Sequence, residues 1–462
     1  MLTQNKTLYK DLSTIHQPLP ILVSFVFWKF IRADNFFMLI ERVRQYVFVL
    51  SFLGALAVTQ RFKLQGFITS ITIETIKFYF LGYHLLAESL SVYPLIYIAG
   101  ILLDKNRSRL DDIILGICVF LTAFNLLPAW PFLFAATLYY LLLRKSLKAV
   151  AWAGFSILIP TIFLFMIISP FSWFQETIIN NWLFFIPSVA TNGSYDLILF
   201  SLFPVLSVFS LNQVIGKYYF LLLLLSLLTA LNGLKKNRFN LKKITAFLVF
   251  YFLLISLNLR VTSLDIGFYT AFHVLPQVAF VTMLTVMLAY RENKKLLYIF
   301  IPIIITVSAV WWSEARKTDK LNEHFINYGD EESIGMALAA IKNEGDKLLA
   351  GPQSFLNLAS GIPLATRQTA YLPWSFQVPE LMIELIEIME SSPPTFIYFP
   401  ESNNPYYNYL DSYLQQKYSR IKRSFGSQTD LYMLNDSISD NSRQWGDFER
   451  LLYLRPSESD TR

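Results

Sequence analysis

The sequence predicts a polytopic α-helical membrane protein of about ten spans, followed by a small C-terminal extracytoplasmic α/β domain. Three observations carry this prediction. Of 462 residues, 54% are hydrophobic and only 16% are charged, against about 25% charged in an ordinary globular domain. The apolar residues concentrate in 45–313, whereas 314–462 has the mixed composition of soluble protein. Within the first region, runs such as YYFLLLLLSLLTAL at 218–231 are apolar all round. That is the pattern of a helix enclosed by lipid or by other apolar helices.

A helical span takes about 20 residues, fewer where polar caps intrude. The predicted spans are 45–60, 66–82, 83–103, 111–127, 128–143, 149–169, 216–233, 244–258, 265–290 and 296–313. Basic residues fall in clusters between them: Arg61/Lys63, Lys105/Arg107/Arg109, Arg144/Lys145/Lys148, Lys235 to Lys243, and Arg291/Lys294/Lys295. The positive-inside rule puts all five on one side. An even number of spans separates consecutive clusters, so the assignment closes, provided that the apolar stretch 195–211 is re-entrant or lies flat. Parity then places three segments outside: everything before 45, the loop 170–194, and the tail after 313. The net charge of +6 is accounted for by these orientation signals and does not point to nucleic acid. The lone Cys118 excludes an intrachain disulfide and a cysteine metal site. The first twenty residues do not read as a signal peptide, and no repeat or low-complexity tract is present.

The opening stretch LYKDLSTIHQPLP, residues 8–20, is polar and runs into apolar ILVSFVFWKF. It resembles the first outer loop of the GT-C membrane glycosyltransferases, the group that includes protein mannosyltransferases and lipid A aminoarabinose transferases. Leu8, Tyr9, Lys10 and Asp11 match a "LYRD" stretch. His16, Pro18 and Pro20 match an "H-x-P-P" stretch whose proline pair is interrupted by Leu19. ERVRQ at 41–45 matches the Arg-bearing entry to the family's second span, and GYHLLAESLSVYPL the start of its fourth. The resemblance implies that 1–44 is a partial first outer loop with a membrane-surface helix over 21–31. It implies that 45–313 is the transmembrane domain and 314–436 the outer α/β domain. In the family the principal catalytic Asp or Glu precedes the LYRD-like stretch, near the end of a first span. Only seven residues stand before Leu8 here. The expectation is that this span and carboxylate are encoded upstream of Met1; a chain without the usual base is the alternative.

What the resemblance implies is sugar transfer from a polyprenyl-phosphate-linked donor to an extracytoplasmic lipid, glycan or protein, at the plasma membrane. Such a reaction needs an outward carboxylate as base, cations for the phosphate, and apolar contact with membrane lipids. Asp11 and Glu88 are the candidate catalytic carboxylates, and His16 lies beside Asp11 on the loop. A loop aspartate and a helix-capping histidine are the plain alternatives. His84 and Glu88, four apart, fall on one face of the predicted helix 83–103; a carboxylate at membrane depth is costly unless paired or hydrated. Glu74 and Lys77, three apart, read better as an internal ion pair. Arg260, Tyr269 and His273, in NLRVTSLDIGFYTAFHVLP, suit a lipid-linked phosphate, because guanidinium grips phosphate with a planar fork. An aromatic belt with a snorkelling arginine reads equally well. Trp173, Gln175, Glu176, Asn180, Asn181 and Trp182 of the 170–194 loop suit sugar, or a membrane interface. There is no glycine-rich phosphate loop and no zinc-like spacing. No cofactor is fixed by the sequence; a divalent metal stays open.

In the tail, KLLAG and TFIYFP read as strands, PQSFLNLASG, VPELMIELIEIMESS and NPYYNYLDSYLQQKYS as helices, and TDLYML as a closing strand. Alternation of this kind predicts a small α/β layer that covers the active site or recognises acceptor. The polar residues 437–462 read as a disordered tail. Two other functions fit the same pattern. One is a transporter or flippase of lipid-linked glycans, though no internal half-repeat appears. The other is a non-catalytic decayed paralogue.

Overall fold

A computed structural model describes residues 7–31, 36–77, 82–190, 275–302, 330–351, 356–368, 374–400, 408–423, 429–440 and 442–452, with Tyr371 and scattered positions in 224–232 and 304–309. Helices α1 (Pro18–Phe30), α2 (Phe36–Phe62), α3 (Leu64–Lys77), α4 (Ala87–Leu103), α5 (Arg109–Asn125), α6 (Trp130–Arg144) and α7 (Leu147–Ile167) follow in order. From α2 on they overlap the six predicted spans through 169, only some of which are long and apolar enough to cross a membrane. By length and composition, three helical stretches qualify to cross a membrane: Met38–Phe62, Leu127–Arg144 and Leu147–Ile167. The predicted spans 216–233 and 244–258, and the stretch 195–211, lie largely or wholly outside the described residues.

The bundle is organised around α4. Its sequence is apolar on every face, and nearly every side chain from Glu88 to Leu102 is buried. That is the signature of a helix surrounded by other helices. It packs against α2, α5, α6 and a helix α10 (Leu275–Glu292). Gly54 permits the approach of α2: a Cβ there would lie 2.5 Å from the Tyr93 ring.

One end of this bundle is a charged network. Ser108 caps α5 through a reciprocal box with Asp111, a geometry that satisfies two orphan backbone donors. Arg61 Nε donates to Asp111 at 2.6 Å, and its other arm pairs with Asp104 at 2.7 Å. Arg144 forks onto Asp112, with both bonds at 2.9 Å. Tyr97 and Tyr140 donate to the same two aspartates. The α2–α3, α4–α5 and α6–α7 turns therefore share one end, as span parity requires.

At the other end, α1 begins at Pro18, the first helical position that proline favours, and is preceded by Gln17 in an extended conformation. Val26, Trp28 and Phe30 stay exposed. After α7 the chain does not form a loop. It continues as α8 (Pro170–Phe174), a π-helix (Gln175–Phe185) and α9 (Ile186–Ala190). Ser169 caps this run and Pro170 opens it. No glycine or proline interrupts it before Pro187, which is why helix wins over loop.

The C-terminal domain has a four-stranded sheet of order β1-β2-β4-β3: β1 Leu348–Ala350, β2 Phe396–Pro400, β3 Tyr418–Arg423, β4 Thr429–Leu434. β1 and β2 are parallel; β4 runs antiparallel to both β2 and β3. Alternate residues of β2 point to opposite faces, as strand geometry demands. Phe396 and Tyr398 pack with α11 (Asp330–Ile341), α12 (Leu356–Ser360) and α16 (Trp445–Leu452). Ile397 and Phe399 pack with α13 (Pro379–Ser391) and α14 (Asn408–Lys417). A short α15 (Asn435–Ile438) follows β4. The result is a helix–sheet–helix sandwich, as the alternation of elements predicts.

The reading of disorder from Ser437 onward does not hold for 437–440 and 442–452. Arg443 forks onto the buried Asp346 at 2.7 and 3.0 Å, Asn343 donates to Asp440, and Phe448 is buried against the sheet. Burial pushes the Asp346 carboxyl up, but its bonds to Arg443, Asn343 and Thr395 outweigh this and hold it below the ordinary range. A polar composition hid an ordered helix, because one arginine and one phenylalanine anchor it.

Removing Arg443 strands a buried carboxylate, which costs on the order of 3–5 kcal/mol. We expect Arg443→Ala to unfold the C-terminal domain at markedly lower denaturant, with Lys substitution rescuing only part. Because the folded Asp346 pKa is depressed, its contribution is present above the unfolded value and is lost as pH falls through the folded one. Denaturant melts at neutral and acidic pH test both statements; an unchanged midpoint in the alanine variant would overturn the anchor.

Candidate functional site

The candidate site lies at the end of the bundle opposite the charged network, where three sequence-distant segments meet. The first is the loop 7–17. The Thr7 N–H donates to the Asp11 carboxylate at 2.7 Å, and Asp11 N–H to Thr7 O at 2.9 Å. Tyr9 sits in the left-handed region at φ 68°, uncommon for a bulky residue. It is held there by full burial and by its hydroxyl, which donates to the His16 carbonyl at 2.6 Å. Burial, reinforced by the nearby Glu176, pushes the Tyr9 hydroxyl well above its usual range, so it stays a donor. Leu8, Tyr9 and Leu12 pack on Phe120 and Phe124 of α5, Leu164 and Ile168 at the end of α7, and Trp173. The loop is thus fixed to the ends of two bundle helices.

The second segment is the π-helix and the third is the connection before α13 in the C-terminal domain. They join the loop at Glu176, which is 3% exposed. Ser13 Oγ donates to Glu176 at 2.8 Å, and Asn180 Nδ2 does so at 3.3 Å. Arg367 pairs with the other Glu176 oxygen at 3.4 Å and with Glu384 at 3.0 Å. The Ser13 N–H donates to Arg367 O at 2.8 Å. Apolar contact seals the junction: Ile15 joins Trp374, Phe184 and Phe185 in one cluster. Burial raises the Glu176 pKa; Ser13, Arg367 and Asn180 offset this only in part.

A second polar centre lies inside the bundle. Lys77 is fully buried; its ammonium donates to Ser51 of α2 and lies 3.6 Å from Glu74. Tyr93 and Tyr83 hydroxyls donate to Glu74 at 2.7 and 3.2 Å. This is the i, i+3 internal pair read from the sequence, completed by α2 and α4. Buried charges persist when paired and hydrogen-bonded in this way.

The other sequence candidates fall as follows. Asp11 is a half-buried turn cap. His16 is exposed at the loop surface. Glu88 is 4% exposed in the first turn of α4, where the helix N-terminus favours an anion. His84 precedes α4, in a turn where Leu86 N–H donates to His84 O at 2.9 Å. The expectation that His84 and Glu88 share a helical face is therefore corrected: Leu86 is extended and caps a helix that begins only at Ala87. Arg260, Tyr269 and His273 lie outside the described residues. Of the 170–194 candidates, Glu176, Asn180 and Asn181 turn inward and Trp182 turns out. Among the described residues, no group of three His, Cys, Asp or Glu could hold a metal ion. Sequence reasoning passed over Ser13 and Arg367, which lie in irregular chain with no periodicity to mark them.

Comparison with protein-family models, curated proteins and solved structures returns no match to this chain. The GT-C resemblance rests on the residues quoted above.

The Glu176 junction has a pH signature. Its folded pKa is raised above the ordinary 4.5, so the folded state holds the extra proton between the two values. Stability from this group is present below the unfolded pKa and declines as pH rises through the folded one. Glu176→Gln should flatten that decline, whereas Arg367→Ala should steepen it. Melting temperatures across mildly acidic to neutral pH decide the matter; identical profiles in all three proteins would mean that the junction does not couple to folding.

Proposed function

We propose that this chain is a membrane glycosyltransferase that moves a sugar from a polyprenyl-phosphate-linked donor to an extracytoplasmic lipid, glycan or protein acceptor. One observation carries the reading. The LYKDLSTIHQPLP loop, which resembles the GT-C outer loop, is folded onto the ends of α5 and α7. There it is gripped by the C-terminal domain and leads into the surface helix α1. An ordered polar loop beside a membrane face, closed over by a soluble domain, is the arrangement that transfer to a water-side acceptor requires.

Of the two carboxylates that the sequence offers as base, the geometry favours Glu88. Asp11 spends an oxygen on its own turn. Glu88 stands on the rigid central helix, and sites on helices are held more precisely than sites on loops. Arg260, with Tyr269 and His273, is the proposed grip on the donor phosphate. In this reading the chain is multi-pass in the plasma membrane, with the charged network cytoplasmic and the C-terminal domain outside.

The test uses the full chain in proteoliposomes with radiolabelled polyprenyl-phosphate sugars. Wild type should transfer label. Glu88→Gln should lose about 10²- to 10⁴-fold in rate, the usual worth of a general base. Asp11→Asn should keep the rate and lose stability. Absence of transfer from every such donor sinks the reading; full activity in Glu88→Gln moves the base elsewhere. Topology is tested separately in cells: Ser391→Cys should react with an impermeant thiol reagent and Lys148→Cys should not. The native Cys118 is buried and does not interfere.

A further inference from the structure

The helical run 170–190 is amphipathic in the wrong sense for a segment in water. Its buried face is polar: Glu176, Thr177, Asn180 and Asn181 are each 3% exposed or less. Its outward face is apolar: Phe171 is 80% exposed, Trp182 71% and Leu183 57%, with Phe174 and Ile186 beside them. The run carries one charge, Glu176, and that charge points inward. A water-facing helix shows the reverse pattern, with polar residues outside and the apolar stripe on the core. We propose that this run lies in the membrane interface, with its Phe171–Ile186 face immersed in the acyl-headgroup boundary of the bilayer.

Three further observations select lipid as the occupant. The face continues directly from α7, a helix long and apolar enough to span a membrane, whose Phe163, Met166 and Ile167 are exposed at the adjoining end. No lysine or arginine lies anywhere in the run, so nothing on it calls for bulk water or an acidic partner. And the run is helical from Pro170 to Ala190, so its backbone groups bond within the segment, the condition for contact with lipid. Trp and Phe at such a boundary are the residue types that interfaces enrich. The inference stands independently of the transferase reading, and it sets the Glu176 junction at the level of the headgroups.

Single cysteines at Phe171, Trp182 and Ile186 in a Cys118→Ser background, spin-labelled in proteoliposomes of neutral phospholipid, test it. All three positions are exposed, so folding is spared; elution and circular dichroism verify this. Relaxation at all three should respond to oxygen and be shielded from a water-soluble nickel chelate. They should report one shared depth, shallower than a label at Phe163. A label at Ser391 should show the opposite response. Nickel access equal to that at Ser391 would place the run in water and overturn the proposal. Exclusion of both reagents would overturn it too, since a second copy or another protein would then cover the face.

Discussion

Asp111 and Asp112 sit side by side, almost fully buried, in the first turn of α5, and the rest of the bundle depends on how they are neutralised. Two carboxylates at the edge of an apolar bundle are tolerable only with cations and hydrogen bonds in place. Arg61 comes from the end of α2 and Arg144 from the end of α6; Tyr97 and Tyr140 come from α4 and α6. The four partners come from three helices, α2, α4 and α6, so satisfying the two charges brings three helix turns to one end. The chain is then committed. Every helix that leaves this end must deliver its other terminus to the opposite one, and there the N-terminal loop, the π-helix and the C-terminal domain collect. The geometry of the Glu176 junction is thus a consequence of charge pairing a bundle-length away.

Much of this was legible in the sequence, for identifiable reasons. The helices up to 167 could be read because each is a mostly apolar run, a signal carried entirely within the segment. The Glu74–Lys77 pair could be read because i, i+3 spacing on a helix is local. Strands β1, β2 and β4 were visible as apolar runs between turn residues. β3 was not: YSRIKR is a charged edge strand, and edges are kept charged to prevent further pairing. α16 was hidden because its anchor, Arg443, gains meaning only beside Asp346. The His84 turn was hidden because helix starts are decided by a capping conformation at Leu86 that no periodicity announces.

The candidate site was less legible than the fold, since its geometry is made of contacts across long sequence distances. Glu176 stood out as a carboxylate among aromatic and amide residues, but its partners Ser13 and Arg367 come from irregular chain far away on either side. Asp11 attracted attention through the LYKD match, and the structure places it in a turn-capping bond. Of the two carboxylates that the sequence offered as base, Glu88 is the one on a regular helix, in the first turn of α4.

Three carboxylate settings of the helical region differ in how they are compensated. Asp111 and Asp112 are bound by short bonds to arginines, and Glu74 by an ammonium and two phenols; nothing in either set invites a ligand. Glu176 differs in kind. Its cation is shared with Glu384 and lies at 3.4 Å, its remaining partners are neutral, and burial raises its pKa despite them. A carboxylate held this loosely contributes little to stability. Its partners do span the only place among the described residues where loop, π-helix and soluble domain converge on one charge.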